Sequence, residues 1–396
     1  MKRAPFILIV LIAGAGAALY WTNPDIKVKF DSWIGVTQID TVQNEIQTDS
    51  ASNAPRRIEK AKRKKIPKTI KPGEYARLDK YASDTPKKYS NDKRALAEYL
   101  KKPANNDLEK ARLIYSWIAT HIRYDDDSFN SGNYGDQNAD GVLASRKGVC
   151  EGFSTLFQEL GLQMGLEVEK ISGYSKGYGY KAGKKFKDTN HAWNAVKIDG
   201  TWQLLDVTWG SSESETTSKG LKSKMKLDPY WFIVPPEEFI FSHLPEDTQW
   251  QLISPAITTH QFEDLPFIAD SFFKMGLGSK EILTKGIAKE VTEFAETSPI
   301  DYPVKGVDLP IVKKIELGRE YTFSIESEYL ENVVLIDGKE WIYLKKEGNL
   351  FKIKHAPKGG KLNVSVKINW YDKEVWTIIK YDVVDAKKLT ATASVP

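Results

Sequence analysis

The chain has 396 residues, 41% hydrophobic and 11% aromatic, enough apolar side chain for two or three cores rather than one. A formal net charge of +4 is small for this length and gives no general case for nucleic-acid binding. A single cysteine excludes an intrachain disulfide and any cysteine-pair metal site.

The chain opens with Met1-Lys2-Arg3 and an apolar run from Ala4 to Trp21. A charged start before such a run predicts export. Two forms fit: a signal peptide cut after Ala13-Gly14-Ala15 or Ala15-Gly16-Ala17, or a retained signal anchor with Tyr20 and Trp21 at the interface. The expected location is therefore membrane-anchored with the rest of the chain outside, or secreted. Residues 22–89 read as a basic, largely disordered linker. Within it, residues 56–71 carry nine basic residues against one acid, Glu59. After an export segment, the expected partner of that stretch is an anionic membrane or cell-wall surface rather than nucleic acid.

From about Ser90 the pattern becomes that of a folded domain. Arg94–Leu100 and Leu108–Ile122 read as helices, with His121 capping or packing. Asp125 to Asn138 has loop chemistry. Its three adjacent aspartates lack the alternating ligands, central glycine and late glutamate of an EF-hand, so a solvated loop is expected. Cys150 comes just before Phe153, Leu156, Phe157, Leu160 and Met164, which recur at helical spacing. It thus lies at a helix start, where unpaired N–H groups and the helix dipole favour a thiolate. Lys176 to Asp188 reads as a loop able to border a cleft, with Tyr178 as a substrate-contact candidate.

A hairpin follows. Asp199-Gly200 separates two β-prone runs, His191 to Ile198 and Thr201 to Trp209. A two-residue loop places Ile198 opposite Thr201, Trp193 opposite Asp206 and His191 opposite Thr208. His191 and Trp193 then share a face with Asp206 and Thr208, and His191 and Asp206 become diagonal neighbours. A carboxylate held against an imidazole fixes its tautomer and supports its charged form. The imidazole can then take a thiol proton and later return it to a leaving amine. Ser211 to Lys226 reads as a mobile polar insertion. His243 and His260 have no carboxylate at hairpin spacing and are expected to be structural.

Gly148-Val149-Cys150-Glu151-Gly152, His191-Ala192-Trp193-Asn194 and Leu205-Asp206-Val207-Thr208-Trp209 resemble the transglutaminase-like domain of the papain-like cysteine enzyme superfamily. The stretch from Ala111 to Asp125 resembles that domain's opening helix and Tyr-Asp exit. Tyr230 to Ile240, His243-Leu244-Pro245 and Trp250 to Ile253 resemble the branch that includes kyphoscoliosis peptidase and cytokinesis-type relatives. The resemblance covers about residues 90–275. It implies Cys150 as nucleophile, His191 as base and acid, and Asp206 as orienter, with no cofactor or metal. The backbone N–H of Cys150 is one natural oxyanion donor, and Gln137, placed before the cysteine, is a candidate second. Trp193 joins Tyr178 as a cleft candidate.

Past Phe273 the pattern changes. Residues 276–310 read as a connector, with a helix or irregular segment over Ser279–Glu296. Six short runs follow between Tyr321 and Val384, punctuated by Asp337-Gly338, Gly348-Asn349, Gly359-Gly360 and Tyr371-Asp372. They predict an all-β sandwich over 311–396, a binding or spacing module without a cysteine, histidine pair or carboxylate constellation. The whole reads as α+β: a papain-like core with a cysteine-bearing helix on an antiparallel sheet, then a β-sandwich. The expected activity is thiol-dependent acyl transfer on protein or peptide amides, transglutaminase-like or peptidase-like. The alternative is a non-catalytic surface scaffold on the same fold.

Overall fold

The computed structural model describes residues 75–369 and 374–387. The expected export segment, 1–21, and the basic stretch, 56–71, lie outside them. Among the described residues no helix is long and apolar enough to cross a membrane.

Ordered structure is present from Tyr75, which corrects the expectation of a linker to residue 89. Helix α1 (Ala76–Ser83) turns Leu78 and Ala82 inward. Its Asp79 receives two hydrogen bonds, at 2.8 and 2.9 Å, from the buried Arg112. Two buried apolar positions in eight residues are too short a periodic signal to read, and the arginine that anchors them lies 33 positions away. Helices α2 (Lys93–Lys101) and α3 (Asp107–His121) fall where expected, capped by Asp92 and Asn106. Strand β1 (Arg123–Tyr124) leads into helix α4 (Asp126–Ser131). That helix replaces the expected loop, because the Asp125 carboxylate caps the Ser128 N–H and hydroxyl. Helix α5 (Ala139–Ser145) and strand β2 (Lys147–Gly148), parallel to β1, precede helix α6 (Cys150–Gln163).

Strands β3 (Val168–Ser175), β4 (His191–Ile198) and β5 (Thr201–Leu205) form an antiparallel sheet. Helix α6 packs on β4 and β3, and its Phe153, Leu156, Phe157 and Leu160 are fully buried in the same core. Each such side chain contributes about 1.5–3 kcal/mol of hydrophobic stabilisation. The β4–β5 hairpin has the expected register, Ile198 opposite Thr201. Asp199 and Gly200 both take positive φ, 47° and 76°, as a turn matching the strand twist requires. The ladder stops at Asn194–Leu205, however, and the expected Trp193–Asp206 and His191–Thr208 pairs do not form.

Residues 211–226, expected as a mobile insertion, contain a hairpin of β6 (Ser212–Thr217) and β7 (Gly220–Met225). Glu213 lies opposite Lys224 and Glu215 opposite Lys222, so its charges pair across the strands. Helix α7 (Pro236–Phe239) leads to strand β8 (His243–Pro245), which adds to β3 and completes the sheet order β5-β4-β3-β8.

The second core begins before the expected boundary at 275. Ile240, Phe241, Leu244 and Phe262 already belong to it. Helices α8 (Thr259–Asp264), α9 (Asp270–Lys274) and α10 (Lys280–Ile287) follow. The expected connector also supplies strands β9 (Glu296–Thr297) and β10 (Lys305–Asp308). Strands β11 (Lys314–Glu316), β12 (Tyr321–Glu326), β13 (Asn332–Asp337), β14 (Glu340–Tyr343), β15 (Lys345–Glu347), β16 (Leu350–His355), β17 (Gly360–Lys367) and β18 (Trp376–Val384) complete the chain's described part. They form two sheets, β10-β12-β16-β15 and β11-β18-β17-β13-β14, with β9 also on β18. Phe323, Ile325 and Phe351 of one sheet share a core with Val333, Val364 and Ile379 of the other. This region does hold a histidine–carboxylate pair: His355 Nε2 lies 2.8 Å from Asp337 Oδ2. The same oxygen accepts the Lys358 N–H at 2.9 Å, so the pair clamps the β13 and β16 ends together.

Candidate active site

Cys150 is the first residue of α6 and is partly exposed. The approach to it is held from two sides. Tyr124 pairs with Gly148 in the short parallel ladder, and the Asp125 N–H donates to the Gly148 carbonyl at 2.9 Å. The Val149 N–H donates to Gln137 Oε1 at 2.9 Å. Gly152 allows that close approach: a Cβ there would lie 2.6 Å from Gln137 Oε1 and 2.7 Å from Val142 Cγ2. With Oε1 taken, Gln137 has its NH2 to offer, and this makes a single long bond, 3.4 Å, to the Gly135 carbonyl. The cysteine thus sits among the free N–H groups of a helix start, with one side-chain amide alongside.

His191 opens β4 and is buried. Its Nε2 lies 2.7 Å from Asp206 Oδ2, which leaves Nδ1 for the thiol. Asp206 is fully buried and stands where β5 ends. Its Oδ1 accepts the Thr208 and Trp209 N–H groups at 2.8 and 3.0 Å, and this starts the 3-10 turn Trp209–Ser211. That capping explains why the hairpin ladder stops short. The chain turns away, yet the Asp206 side chain still meets His191.

His243 was expected to be structural, with no carboxylate at hairpin spacing; the structure brings it to a carboxylate from outside the hairpin. Its Nε2 lies 3.1 Å from the same Asp206 Oδ2. It arrives on β8, far outside the hairpin, so no local spacing could reveal it. The available signal was a histidine inside the apolar run Phe239-Ile240-Phe241-Ser242-His243-Leu244. The other histidines lie elsewhere. His121 stacks on Trp117 at 4.8 Å, as expected of a packing residue. His260 is exposed and faces Asp264 at 3.2 Å, one helical turn on.

Electrostatics follow from burial. Burial pushes the Asp206 carboxyl up, but the charge of His191 and the hydrogen bonds of both histidines outweigh it and hold the carboxyl well below its usual range. Burial pushes His191 down, but Asp206 and the neighbouring Cys150 raise it to about 10. Burial, joined by the charge of His191, holds His243 down at about 4 against the pull of Asp206. The walls are apolar: Trp209 and Trp193 lie 5.5 and 6.0 Å from the His191 ring, and Phe239 stacks on His243 at 4.0 Å.

The ligand atoms of His191, Asp206 and His243 lie within 4.8 Å of one another, close enough to consider a metal ion. Four N–H donors already occupy the Asp206 carboxylate, two on each oxygen, at hydrogen-bond distances. A carboxylate has about four acceptor positions, so the arrangement is that of a hydrogen-bond network.

The two cleft candidates part company. Trp193 is 1% exposed and packs against Phe239 and His243, so it is a wall of the site and not a substrate contact. Its size and the Cβ-less Gly173 opposite the start of β4 let it lie across the sheet. Tyr178 is 45% exposed and meets Phe129 edge-on at 5.8 Å. Phe129 lies 5.9 Å from Tyr124. Burial and the charge of Cys150 push the Tyr124 phenol up, so it stays protonated beside the cysteine. An aromatic row therefore runs from the cysteine to the surface.

A cysteine at a helix start, beside a buried histidine–carboxylate pair on an antiparallel sheet, defines a papain-like cysteine site. Residues 94–207 match the transglutaminase-like superfamily, and this segment is a transglutaminase-like domain, as the sequence resemblance implies. Among curated proteins the chain is similar to kyphoscoliosis peptidase of Homo sapiens, 33% identical over 205 residues, covering 52% of this chain and 30% of that protein. It is also similar to hillarin of Drosophila melanogaster, 35% identical over 185 residues, covering 43% of this chain and 22% of hillarin. The chain thus spans less than a third of either relative. Among solved structures, a putative cysteine protease from Cytophaga hutchinsonii aligns over 39% of this chain and 46% of that one, at 23% identity and a TM-score of 0.25.

Proposed function

We propose that the protein is a thiol-dependent acyl-transfer enzyme acting on protein or peptide amides, with Cys150 as nucleophile, His191 as base and acid, and Asp206 as orienter. One observation carries the reading: the 2.7 Å bond between buried His191 and Asp206, next to a cysteine at a helix start. His191 takes the thiol proton, and the thiolate attacks the amide carbon. The Cys150 N–H and the Gln137 NH2 are the donors for the resulting oxyanion. Collapse breaks the carbon–nitrogen bond, and the leaving amine or ammonia takes the His191 proton, which leaves a thioester on Cys150. A second nucleophile then attacks the thioester carbon, His191 removes its proton, and the thiolate departs and is reprotonated. Water as nucleophile gives hydrolysis or deamidation, and a lysine amine gives a crosslink. The triad serves both, so access of water and amine to the thioester decides the product.

The test compares the full chain with Cys150→Ala in two assays, incorporation of a labelled amine into a glutamine-bearing protein and cleavage of a peptide library. Loss of one activity in the variant supports the proposal and identifies the acceptor. Equal activity in both proteins refutes it and leaves a scaffold on the same fold.

A further inference from the structure

The chemistry proposed for Cys150 requires one histidine on the carboxylate, and this protein has two. His243 is fully buried. Strand β8 pairs with β3 at Ser175–His243, Tyr174–Leu244 and Gly173–Pro245, while Gly173 also pairs with His191. The two imidazoles are thus set on the two strands that flank β3, with ring centres 5.4 Å apart. His243 Nδ1 lies 2.7 Å from Ser242 Oγ, and Nε2 lies 3.1 Å from Asp206 Oδ2. Among the described residues the charged groups acting on the ring are Asp206 and His191, and Phe239, Trp209, Trp193 and Trp231 are the aromatic rings around it. A second cation in that cage, beside a His191 that must itself become one, is disfavoured by repulsion and by burial. The neutral tautomer with its proton on Nε2 satisfies both ends: Nε2–H donates to Asp206, and Nδ1 accepts from Ser242.

We propose that His243 is a positioning residue of the cysteine site, a neutral N–H donor that shares Asp206 Oδ2 with His191 and so limits how tightly the carboxylate holds the His191 proton. The proposal rests on the acyl-transfer reading and deepens it. An oxygen divided between two N–H groups is a weaker partner for each. His191 must hold its proton long enough to form the ion pair and then release it to the leaving amine. Asp206 does not need His243 to keep its rotamer, because Thr208 and Trp209 already hold Oδ1. The effect of His243 is therefore on proton affinity. His243 also lies beyond the segment that matches the superfamily, which ends at residue 207.

The experiment uses two variants of the full chain. His243→Phe keeps the ring and its stack on Phe239, and Ser242 Oγ keeps the Phe239 carbonyl as an acceptor at 3.3 Å. His243→Gln keeps an N–H donor near the position of Nε2. Alkylation of Cys150 by iodoacetamide is followed against pH, with melting curves to verify folding. In His243→Phe the alkaline step, where His191 loses its proton, moves up by about one pH unit, as expected for one charge-assisted hydrogen bond removed. Turnover falls about tenfold with KM within about twofold. His243→Gln returns the step most of the way to wild type. A step that is present but unmoved in folded His243→Phe, or moved equally in both variants, overturns the proposal alone. A wild-type protein without such a step overturns the acyl-transfer reading and this proposal with it. Imidazole nitrogen NMR of the wild type is the second measurement: His243 is protonated on Nε2 alone between about pH 6 and 9. A doubly protonated or Nδ1–H ring at neutral pH refutes the assignment.

Discussion

Asp206→Asn is the sharpest perturbation of this site. The substitution preserves shape, and the asparagine Oδ1 can still accept the Thr208 and Trp209 N–H groups. The NH2 then stands where Oδ2 received two imidazole N–H groups, so donor meets donor at both. Each histidine must change tautomer or lose its partner. His243 can do so cheaply, because Ser242 Oγ can accept from Nδ1–H at 2.7 Å. His191 cannot, because a proton moved to Nδ1 points at Cys150 and leaves no base for the thiol. Breaking a buried charged pair by removing one partner costs about 3–5 kcal/mol. In a folded unit of this size that lowers the melting temperature on the order of 10 °C. Losing the correct tautomer costs about four orders of magnitude in turnover. Alkylation of Cys150 at neutral pH, which follows the thiolate, slows by at least about tenfold. Scanning calorimetry and iodoacetamide kinetics on the same sample measure both effects. A folded Asp206→Asn protein with wild-type alkylation would falsify the proposed relay.

Two further outcomes follow from the same geometry. His191 holds its proton more tightly when folded, so its stabilisation is complete below its unfolded value of 6.5 and is lost as pH rises through about 10. His243 is the reverse: its folded value of about 4 lies below 6.5, so stability falls as pH drops through that interval. Asp206, held low, adds a loss only below the usual carboxylate range. Urea denaturation should therefore show a stability maximum near pH 6.5 from this cluster, and His191→Gln should flatten the alkaline side; stability that rises from pH 7 to about 9 would contradict the assignment. Gly152→Ala places a methyl against Gln137 Oε1 and Val142 Cγ2, 2.6 and 2.7 Å away. The helix-propensity gain of about 1 kcal/mol is outweighed by about 1–3 kcal/mol of overpacking, so the melting temperature falls and turnover drops as Gln137 leaves Val149. A higher melting temperature in that variant would show that Gln137 yields without cost.

Features that rest on neighbouring residues were legible in the chain alone. Asp199 and Gly200 accept positive φ, and this sets a register that brings His191 to Asp206. The apolar spacing from Phe153 to Met164 sets the helix that Cys150 begins. The six alternating runs from Tyr321 onward became strands β12, β13, β14, β16, β17 and β18 for the same reason: backbone preference and side-chain period act over a few residues. The rest came from long-range contacts with no local signature. Asp79 and Arg112 bring the fold's start back to Tyr75. Trp193 became a wall because Phe239 and His243 cover it from other elements. Residues from Ile240 onward joined the second core, though the pattern there reads as the tail of the first. The second histidine on Asp206 came from an edge strand 37 residues away. Edge pairing depends on which strand finds the open side of a sheet, and no period in the chain records that.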